Sequence, residues 1–431
     1  MNSQERTTHI PLDDTGAAPD AATPAAEVAR RGLALRSEQC ARLARGIDGL
    51  AVACVDLAER VAAGGTLFVL GSGSALPDAR HLALEFLHPV IVGKRAVPAL
   101  AVDPTREPCD EDRLGAPGDA VIAVVGADAT SATWRALETA RARGLLTLAL
   151  SSDATRAAAA ADHVLDPGAR DPRLVKEGRV VLYHLLWELT HVMLEESERL
   201  PAGDAAEEAG TDAGLGALYP FLGGARGSGD ALRSDLCASG VAKLRTLETL
   251  RCDTIERHAA ALEACGAALR RARASGAQLL SFGNGGSQTD ADWLAAWLGG
   301  AHRARPWRSR SLAGDPSVLS ALANDVGFER VFARQVAAFG RAGDVALGIS
   351  TSGSSANVVH GLAEAKRRGL LAIGLAGGDG GRLAEEGSVD FLFVVPSPSV
   401  HRIQEVQATL YHLLDELSAD DAERGGPPCA S

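Results

Sequence analysis

The chain has 431 residues, a formal net charge of −12, and 46% hydrophobic residues. The acidic balance, with no Lys/Arg-rich stripe, argues against nucleic acid as a partner, because phosphate backbones are gripped by clustered cations. The apolar content is ample for packed cores and excludes a wholly disordered chain, and no apolar run approaches the roughly 20 residues of a membrane-spanning helix.

Residues 1–27 are polar, rich in Ala, Asp, Thr and Pro, and lack the apolar stretch of a signal peptide. They read as a disordered leader, and a cytoplasmic location is expected. A long amphipathic helix is predicted over about 34–63, followed by strands near 66–70, 96–102, 120–125, 145–150 and 163–166 with Ala- and Leu-rich helices between them. Residues 200–230, dense in Gly, Ala, Asp and Glu, read as a linker in which Leu218-Tyr219-Pro220-Phe221-Leu222 is a short apolar anchor. A second leading helix (238–274) and strands near 278–282, 308–313, 344–350, 370–375 and 390–395 come next, with 421–431 as a disordered tail. Strands alternating with helices predict α/β architecture: two tandem doubly wound sandwiches with parallel five-stranded sheets, spanning 28–199 and 231–420. The seven cysteines (Cys40, Cys54, Cys109, Cys237, Cys252, Cys265, Cys429) are odd in number and form no Cys-x-x-Cys pair, as expected of reduced thiols rather than disulfides or a zinc ribbon.

The halves are copies of one unit. Gly64-Gly-Thr-Leu-Phe-Val-Leu-Gly-Ser-Gly-Ser74 recurs as Gly276-Ala-Gln-Leu-Leu-Ser-Phe-Gly-Asn-Gly-Gly286, and Asp103-Pro-Thr105 recurs as Asp315-Pro-Ser317. Ala140–Leu146 pairs with Ala365–Leu371, and Leu182-Tyr-His-Leu-Leu186 with Leu410-Tyr-His-Leu-Leu414. The offset grows between the second and third anchors, so the second copy carries an insertion that includes Asn324-Asp-Val-Gly-Phe-Glu329.

Two loops of the second copy suit an anion. Gly283-Asn-Gly-Gly-Ser287 and Gly348-Ile-Ser-Thr-Ser-Gly-Ser-Ser355 each follow a strand and open a helix. Glycines let backbone N–H groups approach closely, the helix N-terminus adds positive potential, and hydroxyls complete the shell. Asn284, Gly285, Ser287, Ser350, Thr351, Ser352 and Ser355 are the candidate phosphate-binding residues. A nucleotide cofactor is not expected, since the third spaced glycine and a Walker lysine are missing. The corresponding loop of the first copy, Val124-Val-Gly-Ala-Asp-Ala-Thr-Ser131, has Asp128 where the second has Gly353, and a carboxylate there would repel phosphate.

These segments, with Asn324–Val336, Arg402-Ile-Gln-Glu-Val406 and His412, resemble phosphoheptose isomerase of the sugar-isomerase (SIS) domain group. The resemblance spans nearly all of the second copy and extends more distantly to the first. It implies interconversion of sedoheptulose 7-phosphate and D-glycero-D-manno-heptose 7-phosphate, for the synthesis of nucleotide-activated heptoses. It also implies a His-x-x-x-Glu pair after the first glycine loop and a Gln and a His eight residues apart in the last helix, four residues that hold zinc in some members.

Carried over residue by residue, this set is split between the copies. The second has Trp293 and Trp297 at the His and Glu positions but keeps Gln404 and His412; the first keeps His81, Glu85 and His184 but has Lys176 for the Gln. The expectation is a composite site in which the second copy grips phosphate while His81 and Glu85 meet Gln404 and His412, the four being a candidate zinc set. An enediol route needs a base and an acid. Glu85, raised towards neutral pKa by partial burial, is assigned the base, and His412 the acid. Asp315 orients sugar hydroxyls or caps a helix, and the two tryptophans fill the core between the copies or wall the pocket. His184, in an apolar helix, reads as a core histidine. A sugar-phosphate sensor or scaffold without catalysis, or an isomerase of another phosphosugar, are the alternatives. A homodimer with four halves is expected, with neither membrane nor nucleic acid as partner.

Overall fold

The computed structural model describes residues 24–91, 93–106, 114–198, 229–303 and 305–419. The first half runs α1 (Pro24–Arg45), α2 (Ile47–Ala62), β1 (Leu67–Leu70), α3 (Leu76–Leu87), β2 (Ala99–Val102), β3 (Ala120–Val124), α4 (Ser131–Ala142), β4 (Leu146–Leu150), α5 (Ala154–Ala160), β5 (His163–Leu165) and α6 (Pro172–Glu198). The second begins α7 (Gly229–Arg257), α8 (Ala259–Ala274), β6 (Gln278–Gly283), α9 (Gly286–Leu298) and β7 (Arg308–Ser311). It continues α10 (Pro316–Val326), α11 (Val331–Phe339), β8 (Val345–Ile349), α12 (Ala356–Arg367), β9 (Leu371–Gly377), α13 (Gly381–Glu386), β10 (Phe391–Val395) and α14 (Val400–Ser418).

Each half builds one five-stranded sheet, ordered β2-β1-β3-β4-β5 and β7-β6-β8-β9-β10, and every strand pair is parallel. The orders are the same when strands are counted within each copy. Central strands β3 (AVIAV) and β8 (VALGI) are buried along their whole length, as expected of strands covered by helices on both faces.

Three boundaries differ from the sequence reading. Each leading helix is two helices, broken at Gly46 and at His258. Helix α1 begins at Pro24, inside the stretch read as leader, because Val28 in its second turn is buried and Pro is tolerated at a helix start. Helix α7 begins at Gly229, inside the predicted linker. The apolar anchor at 218–222 and the tail at 421–431 lie outside the described residues.

The halves share a core. One apolar cluster contains Leu82 and Phe86 of α3 and Tyr183 and Trp187 of α6, together with Trp293 of α9 and Tyr411 of α14. Burying a side chain such as Leu82 or Phe86 is worth about 1.5–3 kcal/mol, so the interface between the halves carries part of the folding energy. Helices α6 and α14 are buried on nearly every face. Their polar residues must therefore find partners inside, and this requirement builds the site. No helix among the described residues is long and apolar enough to cross a membrane.

Candidate active site

The glycine and serine loops sit side by side at the C-terminal ends of β6 and β8, the end of a parallel sheet at which ligands bind. Gly285 (φ +55°) and Gly353 (φ +63°) take left-handed backbone, and a Cβ on Gly353 would lie 2.1 Å from the Gly380 carbonyl. The two loops are tied by reciprocal amide hydrogen bonds, Asn284 Nδ2 to Asn357 Oδ1 at 2.9 Å and Asn357 Nδ2 to Asn284 Oδ1 at 2.8 Å. Ser350 Oγ lies 3.1 Å from Ser355 Oγ and 3.5 Å from Ser352 Oγ, so three hydroxyls cluster in one loop. Ser287 and Ser350 are buried, Thr351 is half-buried and Ser352 is exposed. Asp315 is the N-cap of α10: its carboxylate accepts from the N–H groups of Ser317 (2.9 Å) and Val318 (3.2 Å). An open concavity of about 640 Å³, lined by Ala268, Arg271 and Lys366 among others, is at the opposite end of the second sheet.

Directly over the glycine loop, the first half meets the second. A Cβ on Gly286 would lie 2.3 Å from His81 Nε2 and 2.3 Å from Gln404 Nε2, so only glycine fits and both side chains converge on one point. His81, Glu85 and His184 offer ligand atoms that all lie within 4.8 Å of one another, and all three residues are buried. His81 Nδ1 is hydrogen-bonded to the Tyr183 hydroxyl at 2.8 Å, and its Nε2 is 3.3 Å from Glu85 Oε1 without the alignment of a hydrogen bond. His184 Nε2 and Gln404 Oε1 are also buried without partners. Two unpaired imidazole nitrogens and a carboxylate within 4.8 Å of one another, with the Gln404 amide meeting His81 over Gly286, are a donor set that fits a zinc ion.

Behind this cluster is a layer of charge that crosses between the halves. His184 Nδ1 is 2.9 Å from Glu405 Oε1, and Arg402 pairs with the same carboxylate at 2.7 Å. Burial raises the Glu405 carboxyl to about 7 despite Arg402. His184 falls well below its usual value because burial and the neighbouring His401 and His81 disfavour its cation. His401 bridges Glu85 and Glu188, at 3.1 and 2.7 Å; burial opposes its cation, but the two carboxylates carry it up to about 9. None of His401, Glu188, Glu405 and Tyr183 is among the residues chosen from sequence. The available signal was His/Glu pairs four apart, His184 and Glu188, His401 and Glu405, each on one face of its helix.

Two expectations are corrected. His412 does not join His81 and Glu85: its Nδ1 binds Glu177 Oε1 at 2.8 Å and its ring lies edge-on to Trp293 at 4.8 Å. His184 lies beside His81 and Glu85 instead, because α6 follows the same sheet as α3, whereas α14 keeps His412 against Trp293. Glu85 is not raised towards neutrality. Burial pushes upward, but contacts from His401 and His81 outweigh it and hold the carboxyl at about 2. Trp293 and Trp297 stack at 5.4 Å, and Trp297 donates to Asp415 at 2.9 Å, so they are core.

Fold and site together define a SIS-type sugar-phosphate protein, and comparison with known proteins agrees. The SIS domain family matches residues 244–377. A phosphoheptose isomerase from Paramagnetospirillum magneticum is 44% identical over 179 residues, 38% of this chain and 92% of that protein. Another from Aquifex aeolicus is 46% identical over 144 residues, 33% of this chain and 74% of that protein. Over 89% of this chain, the C-terminal domain of a glucosamine-fructose-6-phosphate aminotransferase from Francisella tularensis superposes with a TM-score of 0.58 at 8% identity, a likeness of fold that takes in both halves. The chain belongs to the phosphoheptose isomerase family of SIS-domain proteins and is a phosphosugar isomerase.

Proposed function

We propose that the chain interconverts D-sedoheptulose 7-phosphate and D-glycero-D-manno-heptose 7-phosphate at a composite site between its halves, for the synthesis of nucleotide-activated heptoses. The observation that carries this reading is the convergence of His81 from the first half and Gln404 from the second on Gly286, in the glycine loop that adjoins the serine loop. Phosphate is gripped by Ser287, Ser350, Thr351, Ser352 and Ser355 with the loop N–H groups, which places the carbonyl end of the sugar against α3. Glu85, held ionised, moves the proton between C1 and C2 through an enediol. His184 moves the proton between the two sugar oxygens, and Glu405 behind it sets the tautomer: as carboxylate it takes Nδ1–H and frees Nε2 to accept, as acid it donates to Nδ1 and Nε2 carries the hydrogen. His81, His184 and Gln404, with Glu85 beside them, would hold a zinc ion, which when bound supplies a Lewis acid for the carbonyl oxygen in place of the proton on His184. The chain works as a homodimer in the cytoplasm.

The test is an isomerase assay with sedoheptulose 7-phosphate, run beside arabinose 5-phosphate and a hexulose phosphate, on wild type, Glu85→Gln and Ser352→Ala. Turnover of the heptulose that falls in both variants supports the reading. Turnover of a different sugar moves the substrate, and equal turnover in Glu85→Gln removes the first half from the site.

A further inference from the structure

A carboxylate that moves a proton must present one chosen oxygen, and Glu85 sits on a helix whose own residues touch only one of its two. Oε1 lies 3.3 Å from His81 Nε2, one turn back on α3. Oε2 is held by the other half of the chain. His401, in the first turn of α14 and 3% exposed, places Nε2 3.1 Å from Glu85 Oε2 and Nδ1 2.7 Å from Glu188 Oε1. Ionised carboxylates only accept, so both ring nitrogens donate and the ring is pinned at both ends. It is also clamped by its faces and edge: it stacks on His184 at 4.3 Å and 14°, and meets Trp187 at 5.1 Å and 81°. Rotation of this imidazole would break two charged hydrogen bonds and displace His184.

We infer that His401 is a positioning residue for the isomerisation: it holds Oε2 of Glu85 so that Oε1 is the oxygen presented to the sugar. This rests on the assignment of Glu85 as the proton-transferring group. The second half thus contributes to the first half's carboxylate as well as gripping phosphate, which couples the orientation of α14 to the chemistry. The competing account is cohesion alone, with His401 merely tying α3, α6 and α14 together.

Two substitutions separate these accounts, because the Asn amide reaches only where Nδ1 stands and the longer Gln amide reaches where Nε2 stands. His401→Asn keeps the Glu188 bond and loses the Glu85 bond; His401→Gln does the reverse. Steady-state kinetics with sedoheptulose 7-phosphate are measured on both, with wild type and Glu85→Gln as references and thermal midpoints alongside. The expected result is a kcat about 10–100-fold lower in His401→Asn, the usual cost of removing a partner behind a site ligand, with KM little changed and kcat largely restored in His401→Gln. Equal losses in both variants, or an unchanged kcat in His401→Asn, overturn the inference. Should His401→Asn fail to fold, His401→Gln decides: kcat within about fivefold of wild type supports it, and a loss on the order of 100-fold overturns it. An active wild type and inactive Glu85→Gln beside a fully active His401→Asn would remove only this inference, whereas an inactive wild type removes the isomerase reading and this one with it.

Discussion

Gly286 and Ser74 occupy the same place in the two copies, and their surroundings show how far the copies have parted. Over Gly286, the absence of a side chain admits His81 and Gln404, and several donor atoms remain unpaired. At Ser74 the cradle is filled from within: Asp128 accepts the Ser74 N–H at 2.8 Å and its hydroxyl at 2.7 Å. The carboxylate thus stands where an anion would, satisfying the donors itself. In the place of Gln404 the first copy has Lys176, fully buried between Asp78 (2.5 Å) and Asp290 (3.1 Å). In the place of His81 and Glu85 the second has Trp293 and Trp297, and the His412 beside them is bound to Glu177, itself paired with Arg36 at 2.5 Å. One cleft is filled by tryptophans and ion pairs, with His412 Nε2 and Asp290 Oδ2 unpaired; in the other, unpaired His81 Nε2 and His184 Nε2 lie beside Glu85, with ligand atoms of the three residues within 4.8 Å of one another. Convergence of donors, rather than the presence of an unpaired atom, distinguishes the cleft that fits a ligand.

The largest expected effect falls on the open cleft. Glu85→Gln removes the carboxylate proposed to transfer the proton and is expected to lower kcat by about 10²–10⁴, measured by isomerase assay. Dialysis against a chelator is expected next: it stops turnover, zinc restores it, and metal analysis finds a single equivalent per chain, because among the described residues one cleft brings such ligands together. Two equivalents would break the comparison. The histidines come third. His184→Ala lowers kcat about 10–100-fold, whereas His412→Ala leaves kcat nearly unchanged and lowers the thermal midpoint, since it strips a partner from buried Glu177. Reversal of that pair would restore the assignment made from sequence. Ser352→Ala raises KM for the phosphosugar about tenfold, the value of roughly one hydrogen bond to a charged group, with little change in kcat. The smallest effect is in the closed cleft. Asp128→Ser leaves kcat and KM within error of wild type and costs about 1 kcal/mol of stability in a denaturant titration.

The architecture was legible because its signals are local and repeated. Apolar runs such as Val345–Ile349 between helical patterns specify a parallel sheet, and a second copy of each anchor removes ambiguity. The uneven distribution of candidate side chains between the copies was legible from residue identity alone, since Trp293 and Trp297 stand at the positions of His81 and Glu85. The choice between His184 and His412 was not. Both lie in the same Leu-Tyr-His-Leu-Leu context, and only the packing of α6 and α14 decides which ring faces α3. The state of Glu85 was hidden for a related reason. Burial predicts a raised carboxyl, but His401, 316 residues away in sequence, reverses the sign. The breaks at Gly46 and His258 were also missed, because a lone Gly or His within a run of helix formers is a weak stop signal.

The most direct test is a calorimetric titration with a phosphorylated analogue of the enediolate, on wild type, Glu85→Gln and Ser352→Ala. A jointly built site predicts one equivalent bound per chain, with affinity falling in both variants although the substituted residues come from opposite halves. Binding that drops in Ser352→Ala but is untouched by Glu85→Gln would contradict it, leaving a phosphate grip with no acid–base partner from the amino-terminal half.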